Sequence, residues 1–431
     1  MLLIYSQHTS TRLRYITKQI FDRILGIHFE LTTKIEDFVA HDGPKFSYGK
    51  QPLGHELFLQ SVDLLFEAGV NEEIIKVGRW ENIPCFFNTK NQESVVPFDI
   101  LAAGFYMLSR YEEYLPQMKD ELGRFLPTSS LAYENNFLKL PVVDIWAYKF
   151  KKILVEKFPQ IKLDKKKFTT EVICEVNEAF AYSKKGWIRS IEGIFLDLTK
   201  FRLKQIFIRL KVILGVQKDP YHTYSYIINK TKTGSTKLRF FFGLGNFSVH
   251  EKSTDHHSQT YQNLVKSIAD YCKIGLRLSY DALISPINLK NEKTRFERIT
   301  HRTLSTTYCQ YSRINLPATY RELLEKEVIQ DYSMGYPDYS GFRAGTCSPF
   351  LFYDLDYEIQ TPLLVKSYCL SENAFHKITD PSKAIAEANK LIETIKQVNG
   401  RVIFHINNQL FDRTDYRSQF WKVFYDYFVN L

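Results

Sequence analysis

The chain has 431 residues, 44% hydrophobic and 15% aromatic, which is too long for one ordinary core and ample for two packed domains. Its 57 Lys and Arg against 48 Asp and Glu leave a net charge of +9, spread thinly and without a nucleic-acid motif, so nucleic acid is set aside as a partner. No apolar run approaches the roughly 18 residues of a membrane span, and six cysteines without CxxC spacing read as reduced, buried side chains, so a cytoplasmic location is expected.

In chain order, Leu2 to Tyr5 reads as a strand rather than a signal peptide, and Thr11 to Leu25 as an amphipathic helix with Leu13, Ile16, Ile20, Phe21 and Ile24 on one face. A second helix is predicted from Pro97 to Pro116, with Arg110, Glu112 and Glu113 on an exposed face as ordinary surface pairs. A third runs from about Val143 to Phe158, and the charged run LDKKKF at 163–168 reads as a connector. Residues 1–163 thus form an N-terminal α/β domain and 164–431 a second domain. There the runs TTEVICEV, LRFFFGLG, KIGLRLSY, VIQDYSMG, PFLFYDL, LLVKSYCL and RVIFHIN alternate with helical stretches. Parallel strands with crossover helices are expected, in a distorted (β/α) barrel with its chemistry at the C-terminal strand ends.

Residues 194–214, IFLDLTKFRLKQIFIRLKVIL, interleave Lys200, Arg202, Lys204, Arg209 and Lys211 with apolar side chains. Two readings fit that pattern. One is a helix packed on the barrel with solvated lysines; the other is a basic amphipathic helix on an anionic membrane surface, which would make the protein peripheral to the inner membrane.

The segment DYSMGYPDYSGFRAGTCSPFLFYDL, Asp331 to Leu355, places Arg343, two glycines and several aromatics in an irregular turn that suits a carbohydrate site, with Gly341 and Gly345 free to approach a ligand. With VICEVNEAFAY, GLRLSY, YCQY and VIFHIN, it makes the chain resemble polysaccharide deacetylases of the NodB-homology type, in their two-domain Bacteroidetes form. DFVAHDGPKFSYG, PFDILAAGFYMLSRYEEYLP and PVVDIWA extend the resemblance into the N-terminal domain, where no chemistry is assigned.

The resemblance implies a barrel of that family's type, a divalent metal of the zinc type and a carbohydrate or glycan-precursor substrate. It also implies an Asp-x-Asp pattern and a metal-type histidine. In this chain those positions hold Glu175 and Asn177, and Arg277; Asn246 replaces a further aspartate and Gln310 a further histidine. Arginine cannot ligate a cation, so no metal ligand is assigned and Arg277 is expected to pair with Glu175. His250, Asp255, His256 and His257, together with His405, offer enough ligand types for zinc if the site is rescued.

By the same resemblance, an active protein is a carbohydrate deacetylase, hydrolysing amide carbon–nitrogen bonds, with Glu175 as base, His405 as acid and Arg343 orienting the base. Arg277, Asn177, Tyr336, Asp338 and Phe350 are then substrate contacts. The alternative is an inactive homologue that binds an acidic glycan or a partner protein through Arg277 and Arg343. A third reading is metal-free hydrolysis by Glu175 and His405, with Arg277 as oxyanion stabiliser.

Overall fold

The computed structural model describes residues 1–183, 187–251 and 254–431, excluding the side chains of 187–190, 192 and 193. Its N-terminal part is built on a parallel sheet of β1 (Leu2–Tyr5), β2 (Phe29–Thr32), β3 (Lys45–Gly49) and β4 (Leu57–Gln60), in the order β2-β1-β3-β4. The helix after β1 starts where Ser10 Oγ accepts the Leu13 N–H at 2.9 Å, a side-chain N-cap. It continues as a π-helical stretch to Leu25 and stops at Gly26, whose φ of 65° is left-handed. A small hairpin, β5 (Gly78–Trp80) and β6 (Ile83–Cys85), follows.

The predicted helix 97–116 is shorter than expected. Asp99 caps it and it spans Ile100–Leu108; Arg110 then turns left-handed at φ 55° and a 3-10 turn, Tyr111–Glu113, begins. That break rotates Glu112 and Glu113 inward, so with Arg110 they are buried pairs and not the surface pairs expected.

The second part is a nine-stranded sheet of β7 (Thr169–Val176), β8 (Lys237–Gly243), β9 (Lys273–Leu278), β10 (Thr306–Cys309), β11 (Gln330–Asp331), β12 (Phe350–Asp354), β13 (Ile359–Val365), β14 (Leu370–Ser371) and β15 (Arg401–Asn407). The order is β12-β13-β11-β10-β9-β8-β7-β15-β14. All neighbours are parallel except β12 and β13, which are antiparallel against the expectation of parallel strands. β11 is far shorter than its predicted run because Asp331 accepts the Ser333 N–H and hydroxyl, turning the chain off the sheet.

The period-2 alternation of strands sorts side chains to two faces. Val172, Cys174, Phe240, Phe242, Leu276, Phe404 and Ile406 face the helices and join one continuous core that includes the N-terminal part. Ile173, Phe241, Tyr308, Tyr332, Tyr368 and Ile403 form a separate interior cluster. Four strand intervals separate β10 from β15, about 19 Å in a flat sheet, yet the Tyr308 and His405 rings lie 4.9 Å apart. The sheet is therefore curled around this interior, with β12 and β14 as its edges. Above the apolar layer, at the C-terminal strand ends, come Glu175, Arg277 and His405; below it lie Glu171, Arg239 and Arg401.

Candidate functional site

Three strand ends and one loop build a charged cluster. Arg277, on β9, is fully buried; its Nη2 donates to Glu251 Oε1 at 2.7 Å and its Nε lies 3.7 Å from Glu175 Oε1. The expected contact with Glu175 is thus present, but the shorter bond goes to Glu251, in the loop after β8. Burial works against the guanidinium charge, and the carboxylates of Glu251 and Glu175 more than offset it, so its pKa rises above the ordinary arginine value. Space for the group comes from Gly243 on β8, where a Cβ would lie 2.3 Å from Nη2.

Glu175 also meets His405, whose Nε2 is 3.2 Å from Oε2. The imidazole lies against two tyrosine rings, Tyr308 at 4.9 Å and Tyr368 at 5.3 Å. Ser312 Oγ ties both phenols, at 3.1 and 2.6 Å. To do so, Tyr311 and Ser312 take consecutive left-handed conformations, φ 60° and 55°, which L residues adopt at a cost of about 1–2 kcal/mol each. Glu372 accepts the Asn407 N–H at 2.7 Å; burial pushes its carboxyl up to about 7, with His405 opposing the shift.

Over the cluster sits a cavity of about 280 Å³ lined by Asn177, His250, Gln310, Tyr311 and Gln409, with Arg277 and Glu251 in its wall. Gln310 is held by backbone, accepting from Tyr280 N at 2.7 Å and donating to His250 O at 2.9 Å. Tyr311 donates its hydroxyl to the same carbonyl at 3.2 Å.

The other predicted site residues lie elsewhere. Arg343 does not orient Glu175: its Nε and Nη2 make a two-pronged bond with Glu113 at 2.8 and 2.7 Å, both side chains buried. Arg110 shares Glu113, and although burial raises that carboxyl, Arg343 and Arg110 hold it down at about 2. Tyr336 packs under the Arg343 guanidinium, 5.5 Å from carbon to ring centre, and so belongs to this second network. Asp338 is exposed and 3.8 Å from Arg124. Phe350 is buried in the continuous core on β12 and does not line the cavity over Arg277.

Gly341 and Gly345 serve a close protein contact. At φ 147° and 62° they let the turn press on the N-terminal part, where a Cβ would lie 2.6 Å from Leu138 O and 2.7 Å from Met107 Cε. Asp144 completes the contact, accepting from Thr346 Oγ1, Cys347 N and Ser348 Oγ. The turn expected to hold carbohydrate packs against the N-terminal part.

The residues do not fit a divalent ion. Where the resemblance expects a ligand there is a buried guanidinium between carboxylates, and Asn246 is exposed. The rescue set does not converge. Asp255, His256 and His257 have ligand atoms within 4.8 Å of one another, but His250 stacks on Tyr280 at 4.3 Å and His405 is engaged by Glu175. Burial lowers the His256 pKa to about 4, with the positive charge of Arg295 adding to the effect, and that charge would also oppose a cation. Lys252 and Ser253 of this loop lie outside the described residues.

Residues 2–159 match the model of a family of unknown function, DUF7033. No curated protein matches the chain. Among solved structures, PuuE allantoinase is similar at 12% identity and a TM-score of 0.38, over 61% of this chain and 84% of that one. A probable polysaccharide deacetylase from Pseudomonas aeruginosa PAO1 is similar at 11% identity and a TM-score of 0.37, over 61% of this chain and 85% of that one.

Proposed function

We propose that this chain has a deacetylase-like barrel that binds a neutral, N-acetylated sugar unit at its mouth without metal-dependent hydrolysis. The observation that carries this reading is Arg277, fully buried and bonded to Glu251 with Glu175 beside it. A guanidinium stays charged and coordinates no metal, so the water-activating step of metal-dependent amide hydrolysis lacks its ion.

The geometry does not favour the acidic glycan. Both arginines expected to receive its charge already face carboxylates, Arg277 with Glu251 and Glu175, Arg343 with Glu113. What the cavity offers beside the Arg277 and Glu251 pair is the amides of Asn177, Gln310 and Gln409 around the aromatic face of Tyr311, with the Glu178 carboxylate in the same lining set against an anion. At about 280 Å³ it lies near the low end of small-ligand sites, roughly 300–1,000 Å³, which suits a single unit of a glycan. A Glu175 and His405 pair acting alone is a weaker reading, because Arg277, neutralised on two sides, is a poor stabiliser of a developing oxyanion.

The test pairs metal analysis with binding. After zinc, cobalt and nickel soaks, elemental analysis is expected to find no stoichiometric metal in the native protein and a gain in Arg277→His, Asn177→Asp. Calorimetry with N-acetylglucosamine oligomers is expected to show saturable, salt-insensitive binding that Tyr311→Ala weakens about tenfold. Stoichiometric metal with acetate release would overturn the proposal.

A further inference from the structure

The helical hairpin that follows β7 is amphipathic in the reverse sense for a helix packed on a domain. Its first helix, Trp187–Thr199, exposes Ile191, Phe195 and Leu198 at spacings of four and three; the second, Leu203–Ile213, exposes Leu203, Phe207 and Leu210, and Leu214 just beyond it extends the row. At about 100° per residue each set forms one stripe. Val212, the buried residue of the second helix, falls on the side opposite its stripe. A core helix would bury those stripes. Here they are 41–75% exposed.

The polar contacts run inward. Asp197 of the first helix meets Arg209 of the second at 2.8 Å, with both side chains nearly covered. Arg209 stacks over Tyr182 at 4.6 Å, and the Tyr182 hydroxyl bonds Gln205 at 2.6 Å. The turn between the helices presents Phe201, 90% exposed, at φ 53°, where glycine or asparagine would fit with less strain. An ion pair inside and phenylalanines outside form a surface built to be covered.

The charge around the stripes selects the occupant. The exposed charged side chains described between 191 and 216 are Lys200, Arg202, Lys204 and Lys211, all cations, and the described carboxylate there, Asp197, is engaged by Arg209. Lys204 and Lys211 sit about 80–100° around the helix from the Leu203 stripe, flanking it as interfacial helices flank their apolar face with lysine. A second copy of this chain would bring the same cations against one another.

We infer that the hairpin 187–216 docks the protein on an anionic lipid surface, with Phe195, Phe201 and Phe207 entering the acyl boundary and the cations meeting headgroups. This is independent of the sugar-binding reading above. It also favours the membrane over the packed-helix alternative for 194–214.

The test uses the full-length protein and sedimentation with vesicles of phosphatidylcholine alone or with 30% phosphatidylglycerol. The native chain is expected to bind the anionic vesicles at least tenfold more tightly than the neutral ones, and less in high salt. Phe195→Ser, Phe201→Ser, Phe207→Ser should abolish binding, and Lys200→Glu, Lys204→Glu, Lys211→Glu should weaken it at least tenfold, both with unchanged thermal unfolding. Equal binding by the charge-reversed variant overturns the inference. So does a native dimer in light scattering that the serine variant dissolves without any vesicle binding, which would assign the face to a second copy.

Discussion

Arg277 is neutralised by Glu251 and Glu175, which makes its removal costly. Replacing it with methionine leaves Glu175 and Glu251 buried without their cation, and breaking such a pair costs about 3–5 kcal/mol. Urea unfolding should show that loss, and Arg277→Met, Glu251→Leu should regain at least half of it. Glu292 gives a second measurement. Burial pushes its carboxyl up to about 7, against the Ser279 hydrogen bonds and Arg277. The folded state therefore holds a proton that the unfolded chain, titrating near 4.3, releases earlier. That stability is complete below about pH 4 and is lost as pH rises through 7. Between pH 5 and 8 the native protein should lose about 2 kcal/mol more than Glu292→Gln. Glu175, Arg277 and His405 were legible because VICEVNEAFAY, GLRLSY and VIFHIN resemble the deacetylase strings, which place them at strand ends. Glu251 was not legible, because a loop has no period and the histidines around it drew the reading towards metal.

At the scale of elements, strings read as a surface helix or a ligand turn prove to be contact surfaces. RYEE in the N-terminal part and GFRAGTCS in the barrel part read as a surface helix and a ligand turn, yet Glu113 and Arg343 are each other's partners. Sequence spacing along one helix cannot reveal a left-handed break at Arg110, and the pairing joins residues 230 apart. With Glu113 held at about 2 rather than near 4.3, this joint contributes stability that is complete above about pH 4 and is lost as pH falls towards 2. Glu113→Gln should remove about 3 kcal/mol at pH 7 and flatten the acid limb of the stability curve. Arg343→Lys should cost nearly as much, because an ammonium cannot reproduce the two-pronged bond. In the N-terminal part only β1 was read from sequence and β2 to β6 were not; in the second part the missed strand, β10, is short and partly polar. Thr307 of β10 is buried with its hydroxyl donating to Asp331 at 3.2 Å.

For the whole molecule, the connector at 163–168 marks a change of pattern in the sequence but no break in the packing. The core of the N-terminal part and the outer face of the barrel are one cluster. Tyr353 of β12 lies 5.0 Å from the Tyr15 ring and 5.1 Å from Phe105, and Tyr15 donates its hydroxyl to Leu351 O at 2.8 Å. Arg12 is buried against Glu358 and the Leu64 carbonyl. A barrel cut away at residue 164 would expose this apolar face on β12 and β13, with Arg343 and Glu358 stripped of their partners. Each large core side chain uncovered forfeits roughly 1.5–3 kcal/mol, and domains of this size are stable by only about 5–15 kcal/mol. A handful of such losses exceeds that margin. The full chain should accordingly unfold in a single calorimetric transition. A fragment of residues 164–431 should bind a hydrophobic dye and lack a cooperative transition; a fragment melting within a few degrees of the full chain would show instead that the two parts are energetically separate despite their shared core.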